Sequence, residues 1–349
     1  MKIAQIAPLV ESVPPTLYGG TERVVSWLTE ALVDQGHDVT LFASGDSRTQ
    51  AKLVPVVERA LRLDDRVRDC LPYNFIMLDQ VAERAREFDV LHFHIDFMHY
   101  PMFRDIPNRT LTTLHGRLDL PDLQPIYKAF PHMPLVSISD HQRLPMPPVN
   151  WLDTVYHGLP IDLFRGTKEH KGYLAFLGRI SPEKRPDRAI AIAKATGIPL
   201  KIAAKVDVVD RKYFETEIEP LIEGPLIEFI GEIGETEKQE FLGNARALLF
   251  PIDWPEPFGL VMIEAMACGT PVVAFRCGSV PEVMQDGLTG YVVDTLEEAV
   301  AAIGKIDAIP REGVRDYFER RFTAPTMAKH YVAIYKKLMQ AQVRSVKAA

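Results

Sequence analysis

The sequence predicts an α/β protein made of two doubly wound domains, each a parallel sheet covered by helices. Three observations support this prediction. The chain has 349 residues, which is more than a single domain of ~100–200 residues. Its strand-like segments are mostly continuous apolar runs, as expected of parallel strands that are buried on both faces. Strand and helix patterns alternate from the N-terminus and start again near residue 170, and such alternation is typical of doubly wound sheets.

In the first half, a helix is expected at 21–35 because Val24, Leu28 and Leu32 repeat at four-residue spacing. Gly36 follows as a C-terminal stop. Strands are expected at 2–10, 38–44, 90–94, 109–115, 134–138 and 153–156.

In the second half, short apolar runs again alternate with helical patterns. Strands are expected at 173–178, 200–205, 227–230, 247–251, 271–275 and 290–294. Helices are expected at 187–196, 213–222, 235–245, 259–266 and 296–303, with a last helix at 326–339. The short polar stretch 166–171 indicates the domain boundary, so the two domains are predicted to be 1–165 and 166–325. Ligands of such sheets bind beyond the carboxyl ends of the strands, and we expect a cleft between the domains.

Composition limits the possible functions. The chain is 47% hydrophobic and 25% charged, which is typical of a globular enzyme. A formal net charge of -7 gives no support for binding to nucleic acid. Three cysteines without a CxxC pair argue against a secreted disulfide framework. No targeting segment or run of ~20 apolar residues is visible, so we expect a cytoplasmic protein with at most peripheral membrane contact.

The most informative segment is 254–270, WPEPFGLVMIEAMACGT. The flanking prolines favour an extended backbone at Glu256. Gly259 opens an apolar helix whose first amides form a seat for an anion. Glu264 lies inside this helix, and burying it unpaired would cost several kcal/mol, so it must meet hydroxyls or a cation. The alternative is a capping glutamate followed by an ordinary salt-bridged one.

A second cluster, GRISPEKR at 178–185, follows the first strand of the second half. Arg179 and Lys184 lie on either side of a turn, where a guanidinium and an ammonium group can converge on a diphosphate. The alternative is a solvated basic loop.

A third cluster, Gly19 and Gly20, lies between the first strand and the first helix. Two glycines allow a ligand to approach the backbone closely, and Thr21 is the expected N-cap of the helix. The alternative is a plain tight turn. No GxGxxG follows either leading strand, so the dinucleotide-binding fingerprint is missing.

The histidines near residue 94 allow a metal interpretation. His92 and His94 would share a face of a strand, and with Asp96 they could bind zinc. The alternative, which we favour, is that they are strand-end histidines, with His94 and His115 lining the cleft on the acceptor side. Three arginines lie in a charge-rich stretch that we interpret as a solvated face, with acceptor binding or membrane attachment as alternatives. They are Arg62, Arg66 and Arg68.

Together these segments resemble the retaining GT-B glycosyltransferases of the family 4 type, and the resemblance covers most of the chain. The first half carries GGTER, QGHDVTLFAS, DVLHFH, TTLHG, VSISD and YHGLPIDLF. The second half carries FLGRISPEKR, FIGEI, the E-x7-E pair, ACGTPVVAF and GSVPEVMQDGLTGYVV. Family members often have Asn-Gly-Val where this chain has 156–158, YHG. The resemblance implies two Rossmann-like domains, an acceptor-side domain and a nucleotide-sugar donor domain, with the C-terminal helix 326–349 packed back on the first.

The resemblance also implies roles for individual residues. Arg179 and Lys184 match the pair that neutralises the donor diphosphate. Glu264 matches the acceptor of the ribose hydroxyls, and Glu256 the residue that bonds sugar hydroxyls or steadies the reacting centre. The histidine that contacts the sugar near the transfer site is matched by His115. Backbone contacts to sugar and phosphates are matched by Phe258, Gly259 and Leu260 and by the loop at Gly19 and Gly20.

We therefore predict a retaining glycosyltransferase that moves a sugar from a nucleotide-diphospho-sugar to a glycan, lipid or small molecule. No cofactor is expected, since no Asp-x-Asp occurs in the chain and the fixed positive charges can stabilise the departing diphosphate without a metal. Two alternatives remain open, a sugar-nucleotide epimerase of the same fold and a non-catalytic module that binds nucleotide sugars.

Overall fold

The computed structural model describes residues 1–16 and 19–348, with side chains described up to Ala341. The chain divides into two compact units. The first holds Met1–Pro160 and the chain from Ala324 onward, and the second holds Ile161–Thr323. The chain therefore passes between the units at 160/161 and 323/324, slightly before the predicted boundaries at 165/166 and 325/326. That the units act as acceptor-side and donor-side domains stays a prediction.

The first unit contains a seven-stranded parallel sheet with the order β3-β2-β1-β4-β5-β6-β7. The interior strand β1 is buried from Ile3 to Ile6, because β2 and β4 pair with it on both sides and helices cover its faces. The strands are β1 (Lys2–Ile6), β2 (Asp38–Ser44), β3 (Lys52–Val57), β4 (Val90–Phe93), β5 (Thr110–Thr113), β6 (Leu135–Ser137) and β7 (Trp151–Thr154). The helices of this unit that precede Ile161, where the chain enters the second unit, are α1 (Gly20–Asp34), α2 (Leu71–Arg84), α3 (Tyr100–Phe103) and α4 (Gln124–Ala129).

The second unit contains a six-stranded parallel sheet with the order β10-β9-β8-β11-β12-β13. The carboxyl ends of its strands share one edge, and the loops after β8 and β11 lie there side by side. The strands are β8 (Tyr173–Arg179), β9 (Leu200–Lys205), β10 (Ile227–Gly231), β11 (Ala245–Phe250), β12 (Val272–Phe275) and β13 (Gly290–Val293). The helices are α5 (Pro186–Thr196), α6 (Arg211–Tyr213), α7 (Glu235–Gly243), α8 (Leu260–Ala267), α9 (Val280–Val283), α10 (Leu296–Gly304) and α11 (Arg311–Arg321).

The last helix, α12 (Ala324–Ala348), belongs to the first unit. It packs against α1, and the side chains of Tyr331 and Tyr335 on it are fully buried. Gln35, just after α1, donates a hydrogen bond to the carbonyl oxygen of Pro325 at 3.3 Å. The sequence predicted the core of this helix, and α12 extends it in both directions.

Most predicted elements are present, and the fold class is confirmed. The helix predicted at 213–222 is present but irregular: it is α-helical at Arg211–Tyr213, π-helical at Phe214–Ile218, and ends in a 3₁₀ turn at Glu219–Leu221. Pro220 lies in this last turn and has no N–H to continue a helix. β3, α2 and α11 were not predicted, and neither were the short helices α3, α4 and α9.

Candidate functional site

The sharp turn between β11 and α8 requires Gly259. This glycine is the N-cap of α8, with a φ of 79°, in the left-handed region that favours glycine. A Cβ placed on it would lie 2.8 Å from Cε of Met262 and 3.1 Å from the ring of Phe250. The glycine therefore allows the first amides of α8 to turn directly out of the sheet edge.

The segment before α8 is held by the loop after β12, which carries the GSVPEV segment of the resemblance but had no predicted role. The Ser279 N–H donates to the carbonyl oxygen of Glu256 at 2.9 Å, and Ser279 Oγ donates to that of Phe258 at 2.9 Å. Gly278, with a φ of 56°, packs so closely on Glu256 that a Cβ would collide with its backbone. These contacts fix where the Glu256 carboxylate points. The sequence signal was the small-residue pair 278–279, which comes two residues after a buried strand.

Glu256 forms an ion pair with Lys184. The carboxylate is largely buried, and its Oε2 accepts a hydrogen bond from Lys184 Nζ. The same ammonium lies 4.8 Å from the ring centroid of Trp254, within the range of a cation–π interaction. The loops after β8 and β11 therefore bring together two residues that the sequence proposed for one site.

Glu264 is buried, with 3% of its surface exposed. Lys238 on α7 donates a hydrogen bond from Nζ to Glu264 Oε1 at 2.6 Å. Glu264 thus meets a cation, as a buried carboxylate requires. This ion pair fits both the expected binding role and the alternative of an ordinary salt-bridged glutamate, so the binding role stays a prediction. Lys238 was not predicted from the sequence. It lies in a short polar helix, and no pattern links it to a residue so far along the chain.

Arg179, at the end of β8, faces several carboxylates. Its Nη2 donates to Glu183 Oε1 at 2.6 Å, while Asp210 and Asp207 lie 3.5 and 3.7 Å from other guanidinium nitrogens. Burial raises the pKa of Asp210, partly offset by the nearby Arg179 charge. The basic loop is thus charge-compensated and not simply a solvated cationic surface.

Asp253 connects the loop after β11 to the loop after β8 by hydrogen bonds. It was not predicted from the sequence. Its N–H donates to the carbonyl oxygen of Glu183 at 2.9 Å. Its Oδ2 accepts from Arg185 Nη1 at 2.9 Å and from Arg188 Nη2 at 3.0 Å. Arg185 has a φ of 53°, a left-handed conformation that costs energy for a residue with a Cβ. The site is therefore fixed by side chains that are not themselves the proposed binding groups.

At the start of α1, the structure corrects the predicted cap. The helix begins at Gly20 and its N-cap is Gly19, not Thr21. Gly19 has a φ of 150°, and a Cβ there would lie 2.9 Å from Pro15, so the backbone at this position requires a glycine. Tyr18, which precedes the pair, lies outside the described residues.

In the first unit, the side chains of several histidines are linked by hydrogen bonds. His94 Nδ1 lies 2.9 Å from His115 Nε2, and His94 Nε2 lies 2.7 Å from Gln5 Oε1. The neighbouring ring of His92 lies with its centroid 4.1 Å from that of His94. His94 is buried, whereas His115 is only partly buried. The two histidines that the sequence assigned to the acceptor side are in direct contact with each other.

Burial keeps these histidines neutral. It lowers the pKa of His115 to about 3 and holds those of His92 and His94 well below the ordinary value. Both ring nitrogens of His92 also have partners, Tyr335 and Thr113, each at 2.8 Å. In the part of the chain that the structure describes, no group of three His, Cys, Asp or Glu residues is arranged to hold a metal ion.

The arginine-rich stretch carries ion pairs. Arg62 lies 2.7 Å from the buried Glu11, and Arg66 lies 2.7 Å from Asp64. Arg68 lines a cavity of about 370 Å³ beside these residues. Of the helices described, none has both the length and the apolar character needed to cross a bilayer.

Two family models match this chain. The model described as Glycosyltransferase Family 4 matches residues 18–146, and the model described as Glycosyl transferases group 1 matches residues 163–320. Among curated proteins, the D-inositol 3-phosphate glycosyltransferases of Mycobacterium tuberculosis and Mycobacterium bovis are 30% identical over 198 residues. This match covers 50% of the chain but only 40% of the length of those relatives.

Solved structures show the same fold over nearly the whole chain. AviGT4, a glycosyltransferase involved in avilamycin A biosynthesis, is 24% identical, with a TM-score of 0.72 and 98% of each chain covered. HepE from Anabaena, in complex with UDP and glucose, is 16% identical, with a TM-score of 0.74, covering 97% of this chain and all of that one. The two parallel sheets, the E-x7-E helix and the two family matches lead to one assignment: the chain belongs to the group 1, family 4 glycosyltransferases and has their GT-B fold.

Proposed function

We propose that this chain transfers a sugar from a nucleotide-diphospho-sugar to a hydroxyl of an acceptor that is a glycan, a lipid or a small molecule. The observation that carries the proposal is the pair of carboxylates at α8. Glu256 lies just before the helix and Glu264 inside it, both are buried, and each is held by a lysine from another element. HepE has been solved with UDP and with UDP-glucose, which supports this class of donor.

In this proposal the donor diphosphate binds to Arg179, Lys184 and the first amides of α8. Both side chains are paired with carboxylates in this structure. When the diphosphate binds, each cation exchanges a carboxylate for a phosphate oxygen, so the two cations are not held close together without a compensating anion. When Lys184 moves to a phosphate oxygen, the Glu256 carboxylate becomes available to accept hydrogen bonds from sugar hydroxyls. Glu264, already fixed by Lys238, accepts hydrogen bonds from the ribose hydroxyls.

The backbone completes the donor site. The amides of Phe258, Gly259 and Leu260 lie at the N-terminus of α8, where the positive end of the helix dipole attracts an anion. As the glycosidic bond breaks, negative charge builds on the departing diphosphate. Fixed donors aimed at that charge stabilise the transition state, so we propose that no metal ion is needed.

We also propose that the anomeric configuration of the donor is retained. Inversion needs a general base that deprotonates the acceptor on the face opposite the leaving group. Both strong carboxylates belong to the donor element at α8. His115, the candidate in the first unit, is a weak base because burial lowers its pKa to about 3. An oxygen of the departing diphosphate can instead take the acceptor proton on the same face.

The proposal is tested by incubating the protein with UDP-, GDP- and ADP-sugars and a panel of acceptors, inositol phosphate among them. We expect release of nucleoside diphosphate that rises when an acceptor is added and a glycoside that forms at the same rate. Isomerisation of the nucleotide sugar without release would indicate the epimerase, and tight binding without either reaction would indicate the binding module.

The stereochemistry is read separately, by proton NMR of the product first formed from an α-linked donor. An α-linked product is expected. A β-linked product would overturn retention while leaving the transferase proposal in place.

A further inference from the structure

A chain of hydrogen bonds runs through the interior of the first unit and ends at His115. Gln5, on the interior strand β1, is fully buried, and its Oε1 lies 2.7 Å from His94 Nε2. The other nitrogen of His94 lies 2.9 Å from His115 Nε2. Gln5 lies on β1, and His94 and His115 follow the ends of β4 and β5, the next two strands of the sheet.

The orientation of the Gln5 side-chain amide determines which group donates and which accepts in each of these hydrogen bonds. Its amide nitrogen donates to the hydroxyl of Tyr335 at 3.2 Å, so its oxygen faces His94. A carbonyl oxygen only accepts, and His94 must therefore carry its proton on Nε2. In a neutral imidazole the other nitrogen then accepts. His94 Nδ1 accepts a hydrogen bond from the N–H of His115 Nε2, and His115 Nδ1 carries no proton.

The rest of the network agrees with this direction. Tyr335 accepts from Gln5 and can donate its own proton to His92 Nδ1, and His92 Nε2 then donates to Thr113. If the Gln5 amide were rotated by 180°, its nitrogen would donate to His94 Nε2, and His94 Nδ1 would then donate to His115 Nε2. The proton of His115 would have to lie on Nδ1. That atom is buried and has no hydrogen-bond partner among the described residues. Buried N–H groups without a partner are rarer and more costly than under-used acceptors.

The ring of His115 is also held in place on its other side. It stacks on His157, with ring centroids 5.3 Å apart and planes inclined by 19°. A ring fixed in plane and in tautomer presents its free lone pair in one direction only.

We propose that Gln5 and His94 are positioning residues that hold His115 in the Nε2–H tautomer and so leave the lone pair of His115 Nδ1 free to accept a hydrogen bond. The hydroxyl that would donate to it is that of the transferred sugar, the contact that the family resemblance already implies for His115. The sugar-binding part of this inference rests on the proposed function. The tautomer itself does not, and the two are tested separately.

The tautomer is read from ¹⁵N NMR of the ring nitrogens in the full chain labelled on histidine. His115→Gln identifies the signals of His115 by their loss, and His132→Gln, which removes an exposed histidine, serves as the matched control. We expect a protonated Nε2 and an unprotonated Nδ1 at neutral pH in the wild type. A protonated Nδ1 at His115, or an even mixture of both forms, would overturn the inference even if the enzyme is active.

The role of Gln5 is tested with Gln5→Met, which keeps the size of the side chain and removes its acceptor. We expect this variant to lose the single tautomer at His115. Its kcat/KM should fall at least about tenfold, a loss far smaller than a wrong histidine tautomer causes in the serine protease triad. Affinity for UDP, which lacks the sugar, should stay within about twofold of wild type.

An unchanged tautomer in folded Gln5→Met would overturn the role of Gln5, and if the variant does not fold, the wild-type spectrum alone decides the direction of the chain. A wild type with the expected tautomer but no release of nucleoside diphosphate from any donor would overturn the proposed function and leave the network standing.

Discussion

The two units place polar side chains at the carboxyl edges of their sheets in different ways. In the second unit they are charges held in ion pairs, Lys184 with Glu256 and Lys238 with Glu264. In the first unit they are neutral groups in a directed hydrogen-bond network, with His94 and His115 kept uncharged by burial. An ion pair can exchange its carboxylate for a phosphate, whereas a neutral network with fixed donors and acceptors can orient a hydroxyl. Under the proposed function, the ion pairs of the second unit would bind the diphosphate of a nucleotide sugar, and the neutral network of the first unit would orient a sugar hydroxyl.

The largest expected effect is on turnover, and it lies in the charged unit. Arg179→Ala and Lys184→Ala should each lower kcat by about 10²–10³-fold, the scale for losing one preorganised contact to a developing negative charge. The matched control is Arg276→Ala, which removes an exposed arginine paired with Asp294 and should leave kcat unchanged. Steady-state release of nucleoside diphosphate measures all three. Losses below about threefold in both Arg179→Ala and Lys184→Ala would remove them from the diphosphate site.

A second test compares a buried ion pair with an exposed one. Lys238→Met leaves the Glu264 carboxylate buried without its cation and should lower the free energy of unfolding by about 3 kcal/mol. The control, Lys171→Met, breaks a largely exposed pair with Glu240 and should stay within about 0.5 kcal/mol of wild type. Urea unfolding measures both. Equal effects of the two substitutions would show that Lys238 is not needed to compensate Glu264.

The neutral unit should reveal itself through pH. Since burial lowers the folded-state pKa of His115 to about 3, the unfolded chain takes up a proton near pH 6.5 that the folded chain does not. The stability tied to this group is full above about pH 6.5 and is lost as the pH falls toward 3. The slope is at most about 1.4 kcal/mol per pH unit for each such histidine.

The slope is measured by urea unfolding at several values between pH 7 and pH 5. His115→Gln should flatten it by up to the contribution of one proton, while His132→Gln, at an exposed position, should leave it nearly as in wild type. An unchanged slope in His115→Gln would mean that His115 takes up its proton in the folded state as readily as in the unfolded chain.

The smallest expected effect is that of a chelator. If the fixed charges of the second unit stabilise the departing diphosphate without a metal, turnover should be the same with and without EDTA. Complete loss of activity that a divalent cation restores would contradict the proposed mechanism and reopen the metal interpretation of His92, His94 and Asp96.

The sequence predicted those elements best whose burial is uniform. The bounds of β2 and β9 were predicted to the residue, because continuous apolar runs define strands that are covered on both faces. β3 was missed because its residues alternate between exposed and half-buried and include Pro55, the pattern of an edge strand. α2 was missed because Leu71, Phe75 and Ile76 are exposed on it, which blurs the amphipathic pattern.

The candidate site was predictable where one short segment carries it. The E-x7-E helix and the Arg179 loop each show their chemistry locally, through residue type and spacing. Lys238 and Asp253 act across the fold, on partners brought near by sheet pairing, and no periodicity connects them in the sequence. The direction of the Gln5 network was equally hidden, since a buried glutamine on a strand has no sequence signature.

The central claim, that the charged unit binds the phosphates and the neutral unit does not, is tested most directly by calorimetry with free nucleoside diphosphates. The nucleoside diphosphate that binds the wild-type protein most tightly is first chosen from UDP, GDP and ADP. We expect Arg179→Ala and Lys184→Ala to weaken its binding by at least about tenfold, the scale of a lost charge-assisted hydrogen bond, and His115→Gln to change it by less than about twofold. Binding that His115→Gln weakens and the two charge-removing variants leave intact would contradict the account.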